Sequence, residues 1–344
     1  MTLRYLIQKE FLQIRRNSFL PRLIVMFPVM IMCVMPWVMQ MEVKNIRVDV
    51  VDIDRTTESQ RLVHDIEASN YFIFNGMQPT YQAAMKDIEH GKADIILEIR
   101  DGTYLIAANA VNGTKGSMGS AYLSQIIAKG LVKDGADILN LYNKGQNYKL
   151  YMIPALLAIV MMLMTGFLPT LNIVGEKETG TIEQINVTPV SKWAFILSKL
   201  IPYWIIALFV VTVCLILAWL VYGITPVGSV WLVYLLAMLL ALFFSSLGLI
   251  ISNYSSTMQQ AIFVMWFFVV SIMLLSGLFT PTRSMPQWAY LTTYINPMHY
   301  FIDAIRTVFI RGGSLHETAH QVLALAGIGT LMGCWAVQSY KKNS

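Results

Sequence analysis

Apolar residues in this chain are gathered into long runs, and polar segments separate one run from the next. A helix needs about 20 apolar residues to cross a hydrocarbon core of about 30 Å. Six runs are long enough and predict membrane-spanning helices at Leu20–Met41, Leu150–Val174, Leu200–Tyr222, Val230–Ser252, Gln259–Thr280 and Gln321–Tyr340. The predicted fold class is therefore an α-helical polytopic membrane protein with six transmembrane helices.

Composition agrees with this class. The 344 residues are 56% hydrophobic and 13% charged, and no Asp, Glu, Lys or Arg occurs between Lys199 and Arg283. A soluble fold needs charge on its surface, whereas a charge at the bilayer centre costs about 3 kcal/mol or more. The cysteines are odd in number, lie in apolar runs and have no metal-binding spacing, which predicts neither a disulfide framework nor a metal site; they are Cys33, Cys214 and Cys334.

Residues 1–19 predict an amphipathic helix that lies on the membrane surface. Its apolar positions recur at helical spacing, at Leu3, Ile7, Phe11 and Ile14. Basic and polar residues occupy the other positions, and the first span follows directly. Membrane lipid is thus an expected partner of this helix, and the alternative is an ordinary cytosolic helix.

Basic residues also predict the orientation, because cytoplasmic flanks of membrane helices are enriched in Lys and Arg. They cluster before and around the start of the first span, and Lys341 and Lys342 end the chain. We therefore expect a multi-pass protein of the cell inner (plasma) membrane with cytoplasmic N- and C-termini. Residues 175–199 then face the cytoplasm. Arg283, Arg306 and Arg311 would lie outside, against the general trend.

The polar stretch 42–148 predicts an α/β domain inserted between the first and second spans, on the extracytoplasmic side. Its pattern gives the order β-α-β-α-β-β, with a strand at Ile46–Ile53 and a hairpin across Asp101-Gly102. The domains are thus 1–19, 20–41, 42–148 and the bundle 149–344, whose spans are 150–174, 200–222, 230–252, 259–280 and 321–340.

Residues 285–311 predict two short helices that re-enter the membrane from the outer face, because they are apolar but too short to cross. Asn296 suits a helix N-cap and Pro297 the first helical position. His299 and Asp303 are one helical turn apart, so they contact either the substrate or each other. These four residues form the predicted outer gate. The alternative is a loop lying on lipid headgroups.

The densest charge in the bundle lies in residues 175–199, between two spans. A short charged helix there can dock onto a partner by charge complementarity, and the alternative is a solvated loop. The residues expected to couple the bundle to that partner are Glu176, Lys177, Glu178, Gly180, Thr181, Glu183 and Gln184. No phosphate-binding G-x-x-x-x-G-K-[ST] motif is present. No catalytic triad or metal spacing was found either, so we expect no enzyme activity from this chain and no cofactor bound to it.

Three motifs resemble the permease subunits of type-2 ABC exporters. They are residues 175–185 with Thr188-Pro189-Val190, residues 275–281 with Asn296-Pro297-Met298, and the insert with Val50-Val51-Asp52-Ile53-Asp54. The insert is similar to the long-insert branch of the family. The resemblance implies a separate ABC ATPase subunit that binds ATP and Mg, and a second permease copy or paralogue. In such a dimer the second and fifth spans line the substrate path, where the polar candidates are Thr165, Thr170, Asn172, Ser271 and Ser276.

The expected function is therefore an ATP-binding cassette exporter permease, which moves a substrate out of the cytoplasm or inner leaflet. A periplasmic adaptor is a further partner that the long insert allows, and no nucleic acid is expected. One alternative is a non-transporting sensor or scaffold whose outer domain binds a partner. A secondary transporter is disfavoured, because such proteins commonly carry intramembrane carboxylates and no span has one at its middle.

Overall fold

The computed structural model describes residues 2–18, 20–38, 46–109, 113–131, 148–182, 190–279, 282 and 285–340. The chain forms two compact units. The larger unit comprises Met1–Met39 and Leu141–Ser344, and the smaller comprises Gln40–Asn140. Glu183 and Gln184, two of the predicted coupling residues, lie outside the described residues.

The described part of the larger unit is helical. Its α-helices are α1 (Thr2–Arg16), α2 (Leu20–Val38), α6 (Tyr148–Met162), α7 (Leu168–Glu178), α8 (Lys192–Tyr222), α9 (Val230–Tyr254), α10 (Met258–Leu274), α11 (Gln287–Thr293), α12 (Pro297–Arg306) and α13 (Ala319–Ser339). Two π-helical turns, at Leu163–Phe167 and Thr307–Arg311, join α6 to α7 and extend α12.

Five helices among the described residues are long and apolar enough to cross a membrane, and they are Leu20–Val38, Lys149–Glu178, Lys192–Tyr222, Val230–Tyr254 and Ala319–Ser339. The protein is therefore a mostly helical polytopic membrane protein. The remaining predicted span, Gln259–Thr280, overlaps α10, which has 17 residues and ends earlier, at Leu274. At about 1.5 Å per residue, α10 is roughly 25 Å long, slightly less than the hydrocarbon core.

Helix α9 lies at the centre of the bundle. It is buried over most of its length, including every residue from Phe243 to Ser252. By contrast α10 buries only Ala261, Met265 and Val269 in this single chain. Most of the apolar surface of α10 is therefore left for contact with lipid or with another protein.

The π-helical turn Leu163–Phe167 packs closely against α9. A Cβ added to Gly248 would lie 2.7 Å from the carbonyl oxygen of Gly166 and would also collide with the Thr170 hydroxyl. Two glycines thus allow the backbones of two membrane helices to approach each other, as small residues do in membrane bundles.

The smaller unit contains a four-stranded sheet. Its strands are β1 (Ile46–Asp52), β2 (Phe72–Met77), β3 (Ile95–Arg100) and β4 (Thr103–Ala108), and its helices are α3 (Thr57–Glu67), α4 (Tyr81–Glu89) and α5 (Gly113–Leu131). The strand order is β2-β1-β3-β4. The first three strands are parallel, and β4 pairs antiparallel with β3.

The β3–β4 hairpin has the turn chemistry that its sequence predicts. Asp101 and Gly102 have φ angles of 50° and 68°, as a type I′ turn requires. Their backbone N–H groups donate to the carboxylate of Asp54 at 2.8 and 2.9 Å. One side of the sheet packs on α3 and α5 through residues such as Val48 and Leu97, and α4 covers the other side.

Candidate functional site

The predicted coupling segment, residues 175–199, begins inside α7 and ends inside α8. Glu176, Lys177 and Glu178 form the last turn of α7. Thr179 follows as the C-cap, and Gly180 takes a left-handed conformation with a φ angle of 72°. Glycine adopts this conformation with little strain, which explains why the helix ends there. The final residues of the segment, from 192 onward, are the first two turns of α8 rather than part of a loop.

Glu176 is buried and bonded within the protein. Its side chain is 5% exposed, and Glu176 Oε2 lies 2.5 Å from Nζ of Lys199, which is 1% exposed. The same Nζ lies 2.6 Å from Glu10 Oε1, on a side chain that is 2% exposed. One lysine of α8 therefore joins a carboxylate of α7 to a carboxylate of α1.

Lys9 completes this group, which we call the ionic cluster (Lys9, Glu10, Glu176 and Lys199). Its Nζ lies 2.8 Å from Glu176 Oε1 and 3.2 Å from Glu10 Oε1. Burial acts to lower the pKa of Lys9, but the hydrogen bond to Glu176 and the two carboxylate charges raise it overall. The cluster holds two cations and two anions, so it is charge-balanced where an isolated buried charge would be costly.

Asn172 extends the cluster along α7. Its Nδ2 donates to Glu10 Oε2 at 2.9 Å, and its Oδ1 accepts from Gln13 Nε2 at 3.1 Å. This residue was predicted to line the substrate path. In the structure its amide connects α7 to α1, and it also lines a cleft described below.

Lys177 and Glu178 hold the turn between α9 and α10. Lys177 Nζ donates to the carbonyl oxygens of Ser252, Asn253 and Ser255 at 2.9–3.0 Å. Glu178 Oε1 accepts from the N–H of Met258 at 2.6 Å. A cation at the end of one helix and an anion at the start of the next complement the two helix dipoles.

The three charged residues of this helical turn thus contact three different parts of the bundle. Glu176 contacts α1 and α8, Lys177 contacts the end of α9, and Glu178 contacts the start of α10. Thr179 and Thr181 are exposed, and their hydroxyls donate to carbonyl oxygens at the end of α7. In the turn at the end of α7, Glu178, Thr179 and Thr181 are therefore exposed, and of these Glu178 and Thr181 are predicted coupling residues.

A cleft of about 470 Å³ adjoins the ionic cluster. One part of its lining is polar and includes Gln13, Asn172 and Thr181, and another part is apolar and includes Leu20 and Leu168. We call it the Asn172 cleft. Such a lining suits a molecule that has both a polar and an apolar part.

The other residues predicted for the substrate path lie apart from this cleft. Thr165 and Thr170 are fully buried. Their hydroxyls donate to carbonyl oxygens one turn earlier, those of Met161 and Gly166, at 2.7 and 2.6 Å. Ser271 is half-buried on α10. In this single chain the threonines satisfy backbone carbonyls around the π-helical turn, and their role in a path stays a prediction.

A second cleft, of about 400 Å³, lies near the start of α6 and therefore at the opposite end of the helix Lys149–Glu178 from Glu176. Its lining brings Ser276 together with His299 and Asp303 of α12. We call it the His299 cleft. His299 Nδ1 lies 3.2 Å from the Ser276 carbonyl oxygen, and Asp303 Oδ2 accepts from Gln321 Nε2 at 2.7 Å.

Arg306 was not predicted to take part in a gate, yet it lines the same cleft. Its guanidinium carbon lies 3.5 Å from the centre of the Tyr151 ring, a cation–π arrangement. Its nitrogens also lie 3.4–3.5 Å from carbonyl oxygens of Tyr151, Gly277 and Leu278. The cleft wall therefore joins α6, the end of α10 and α12.

Asn296 and Pro297 have the local roles that their sequence predicts. Asn296 Oδ1 accepts from the N–H of Met298 at 3.0 Å, and Pro297 is the first residue of α12. Asn296 Nδ2 also donates to the Ile272 carbonyl oxygen at 2.8 Å. This second bond ties the start of α12 to α10.

Sequence reasoning missed the ionic cluster as a unit. Glu10 is the only acidic residue in the first 41, and a single carboxylate in a basic helix was the available signal. The sequence predicts Lys199 as the last residue of the cytoplasmic segment 175–199, next to a span, whereas α8 begins at Lys192 and Lys199 is buried. Among the described residues, no three His, Cys, Asp or Glu side chains are placed to hold a metal ion.

Comparison with known proteins identifies the class. The family model for the ABC-2 family transporter proteins matches residues 19–337. The chain therefore belongs to this family, and it is the membrane-spanning permease component of an ABC transporter. Membership implies that an ABC ATPase works with it.

Two relatives from Escherichia coli K12 give the comparison in more detail. The "Probable multidrug ABC transporter permease YbhR" is 26% identical over 360 residues, which cover 98% of each chain. The "Inner membrane transport permease YhhJ" is 23% identical over 288 residues, covering 81% of this chain and 75% of the relative. The chain is a multi-pass inner-membrane protein like these.

Proposed function

We propose that this permease is an exporter whose ATPase is a separate polypeptide that docks on residues 176–189. The observation that carries the proposal is the attachment of Glu176, Lys177 and Glu178 to four helices of the bundle, α1, α8, α9 and α10. A partner that displaces the Thr179–Thr181 turn would displace these attachments too. The end of α7 would thus link the docking site of the ATPase to the helices of the bundle.

The proposed topology has six spans, with α10 as the fifth, and both termini in the cytoplasm. Helix α10 is apolar apart from Gln259, Gln260 and Ser271 and exposes most of its surface, which suits a helix in contact with lipid or with a second permease copy. The α/β unit between the first two spans would then lie outside the cytoplasm, where a periplasmic adaptor could dock. Helices α11 and α12 would re-enter from the same side.

The proposed cargo is an amphipathic molecule, in keeping with the multidrug permease named among the relatives. Support comes from the Asn172 cleft, whose lining is polar at one part and apolar at another. The His299 cleft, near the other end of the α6–α7 helix, would serve as the outer gate. A second copy or a paralogue of this chain would complete the path between them.

Affinity purification of the tagged chain from native membranes, followed by mass spectrometry, tests the proposal. We expect a chain with a nucleotide-binding phosphate loop to co-purify. Gly180→Pro should reduce its recovery. If no ATP-binding chain co-purifies, this chain is not the partner of a separate ATPase.

Labelling with an impermeant thiol reagent tests the topology separately. In a cysteine-free background and with any outer membrane permeabilised, a cysteine at the exposed position Gln60 should react in intact cells. A cysteine at the exposed position Thr179 should react only after the inner membrane is opened. Reaction of both positions in intact cells would contradict the proposed orientation.

A further inference from the structure

We propose that the N-terminal helix α1 is a second moving element of the coupling machinery, joined to it by the carboxylate of Glu10. This inference rests on the proposed function of residues 176–189. It assigns Glu10 and Lys199 as positioning residues, since neither is exposed to a partner. In this arrangement, a displacement of the coupling segment reaches α1 through Lys199, which bonds Glu10, and through Lys9, whose Nζ contacts Glu176 directly.

The position of Lys199 explains why it can pass on such a displacement. Glu176 lies at the beginning of the coupling segment and Lys199 at its end, and their ion pair joins the helices that enter and leave it. A buried ion pair therefore connects the two ends of the coupling segment. Movement of the exposed turn at Thr179 acts on α7 and α8 together, rather than on one of them.

Glu10 makes α1 part of the same closed unit. Its Oε1 accepts from Lys199 and Lys9, and its Oε2 accepts from Asn172. Both of its oxygens are therefore satisfied by residues of the ionic cluster and of α7. Separating this carboxylate from Lys199 would leave two buried charges without their partners, which is strongly unfavourable. Helix α1 is thus expected to move with α7 and α8 rather than to slide along them.

A further contact carries the movement from α1 to the first span. Helices α1 and α2 are separated by three residues, and the Asn17 side chain accepts from the N–H of Leu20 at 3.1 Å. Asn17 therefore caps the start of α2 while it follows directly on α1. A shift of α1 would change the position of the first span and the width of the Asn172 cleft, which both Asn17 and Leu20 line.

The experiment uses the permease purified with its ATPase and two reporter positions. Leu12 is 49% exposed on α1, and Thr179 is exposed on the coupling segment. Each is replaced by cysteine, in a background without the native cysteines, and spin-labelled. Spectra are compared between the nucleotide-free complex and the complex trapped with ATP and vanadate. Both labels should change mobility on trapping.

The double variant Lys9→Gln/Glu10→Gln then separates the two elements, because it removes both ion pairs that join α1 to the segment and leaves Lys199 paired with Glu176. We expect the change at Thr179 to be retained and the change at Leu12 to be lost, with resting spectra unaltered. Arg15→Gln is the matched control, because Arg15 is an exposed charged residue of the same helix outside the cluster. It should leave both changes intact. A residue with a merely structural role would alter the resting spectra or the yield of complex without this selective loss.

If the double variant prevents assembly, Glu10→Gln replaces it and is expected to reduce the change at Leu12, because the Lys9–Glu176 ion pair remains. An unchanged response at Leu12 in the variant would overturn the inference, as would a wild-type complex in which only Thr179 responds. If Thr179 itself does not respond in the wild type, the proposed coupling role fails, and the inference fails with it.

Discussion

Lys199 and Glu176 form a buried ion pair across the base of the coupling segment, with Nζ and Oε2 2.5 Å apart. The two residues are separated by 23 positions in the sequence. Glu10 shares the same lysine, so three helices meet at one ammonium group. The sequence alone would allow the charged residues of this segment to lie in a solvated loop. Some of them instead form contacts inside the bundle.

Lys199→Met is expected to destabilise the permease strongly. It removes the cation between two buried carboxylates, and breaking a buried pair costs about 3–5 kcal/mol. Lys192→Ala is the control, since Lys192 is exposed and, among the described residues, its Nζ lies 3.4 Å from one carbonyl oxygen, that of Tyr340. Its effect should stay within about 0.5 kcal/mol. Denaturant unfolding in detergent measures both, and equal stabilities would show that the ionic cluster is unimportant for folding.

Gly248→Ala is expected to destabilise the contact between α9 and the π-helical turn by about 1–3 kcal/mol, as overpacking does. The added Cβ meets the carbonyl oxygen of Gly166, which belongs to the backbone and cannot rotate away. Gly327→Ala is the matched control, because it lies in α13 with nothing within 4 Å of the added Cβ. Thermal unfolding in detergent should give a lower Tm for Gly248→Ala than for Gly327→Ala. A neutral Gly248→Ala would mean that the two helices separate readily.

The pH dependence of the smaller unit should depend on Asp49. Its Oδ1 accepts from Asn75 Nδ2 at 2.8 Å, while its Oδ2 is buried and has no hydrogen-bond partner among the described residues. Burial raises the pKa of Asp49. The Asn75 hydrogen bond opposes this shift, and the neighbouring Asp87 adds to it. Because the folded-state pKa is raised, the stability that Asp49 contributes is fully present below its unfolded pKa of about 3.9 and is lost as pH rises through the folded value.

Asp49→Asn should remove this dependence, because an amide resembles the protonated carboxyl group. Hydrogen exchange of the β1 amides, compared between wild type and variant at the same pH, measures the effect. The variant should be better protected at neutral pH, and the difference should shrink as pH falls toward 4. If the difference in exchange between wild type and variant does not vary with pH, the pH dependence does not arise from Asp49.

Much of the fold could be predicted, because it follows from local patterns. The apolar runs give the long helices, the Asn296-Pro297 pair gives the start of α12, and Asp101-Gly102 gives the hairpin. Each depends on residues close together in the sequence. The strand predicted at Ile46–Ile53 is found at Ile46–Asp52.

The rest depends on tertiary contacts that a single sequence does not reveal. Glu10 and Lys199 are 189 positions apart, and nothing local indicates that they pair. The π-helical turn at Leu163–Phe167 forms where the helix packs on the Gly248 surface of α9. Helix α8 begins eight residues before the predicted span because its first two turns are only moderately polar and pack against other helices.

The central claim is that the turn after Glu178 receives the ATPase. Its most direct test is the amount of ATPase that co-purifies with the permease variants Gly180→Pro and Glu183→Lys, together with ATP hydrolysis by each complex. Proline cannot adopt the φ angle of 72° at Gly180 or donate its hydrogen bond to the Lys177 carbonyl oxygen. Glu183→Lys reverses a charge in the segment.

Both variants should insert into the membrane at wild-type levels. We expect each to lose ATPase association or the stimulation of ATP hydrolysis by transport, while Lys192→Ala keeps both. A rim contact is worth about 1 kcal/mol and a desolvated charge pair about 2–5 kcal/mol, so the size of the loss for Glu183→Lys reports how buried the docking contact is. Full association and full transport in both Gly180→Pro and Glu183→Lys would contradict the claim.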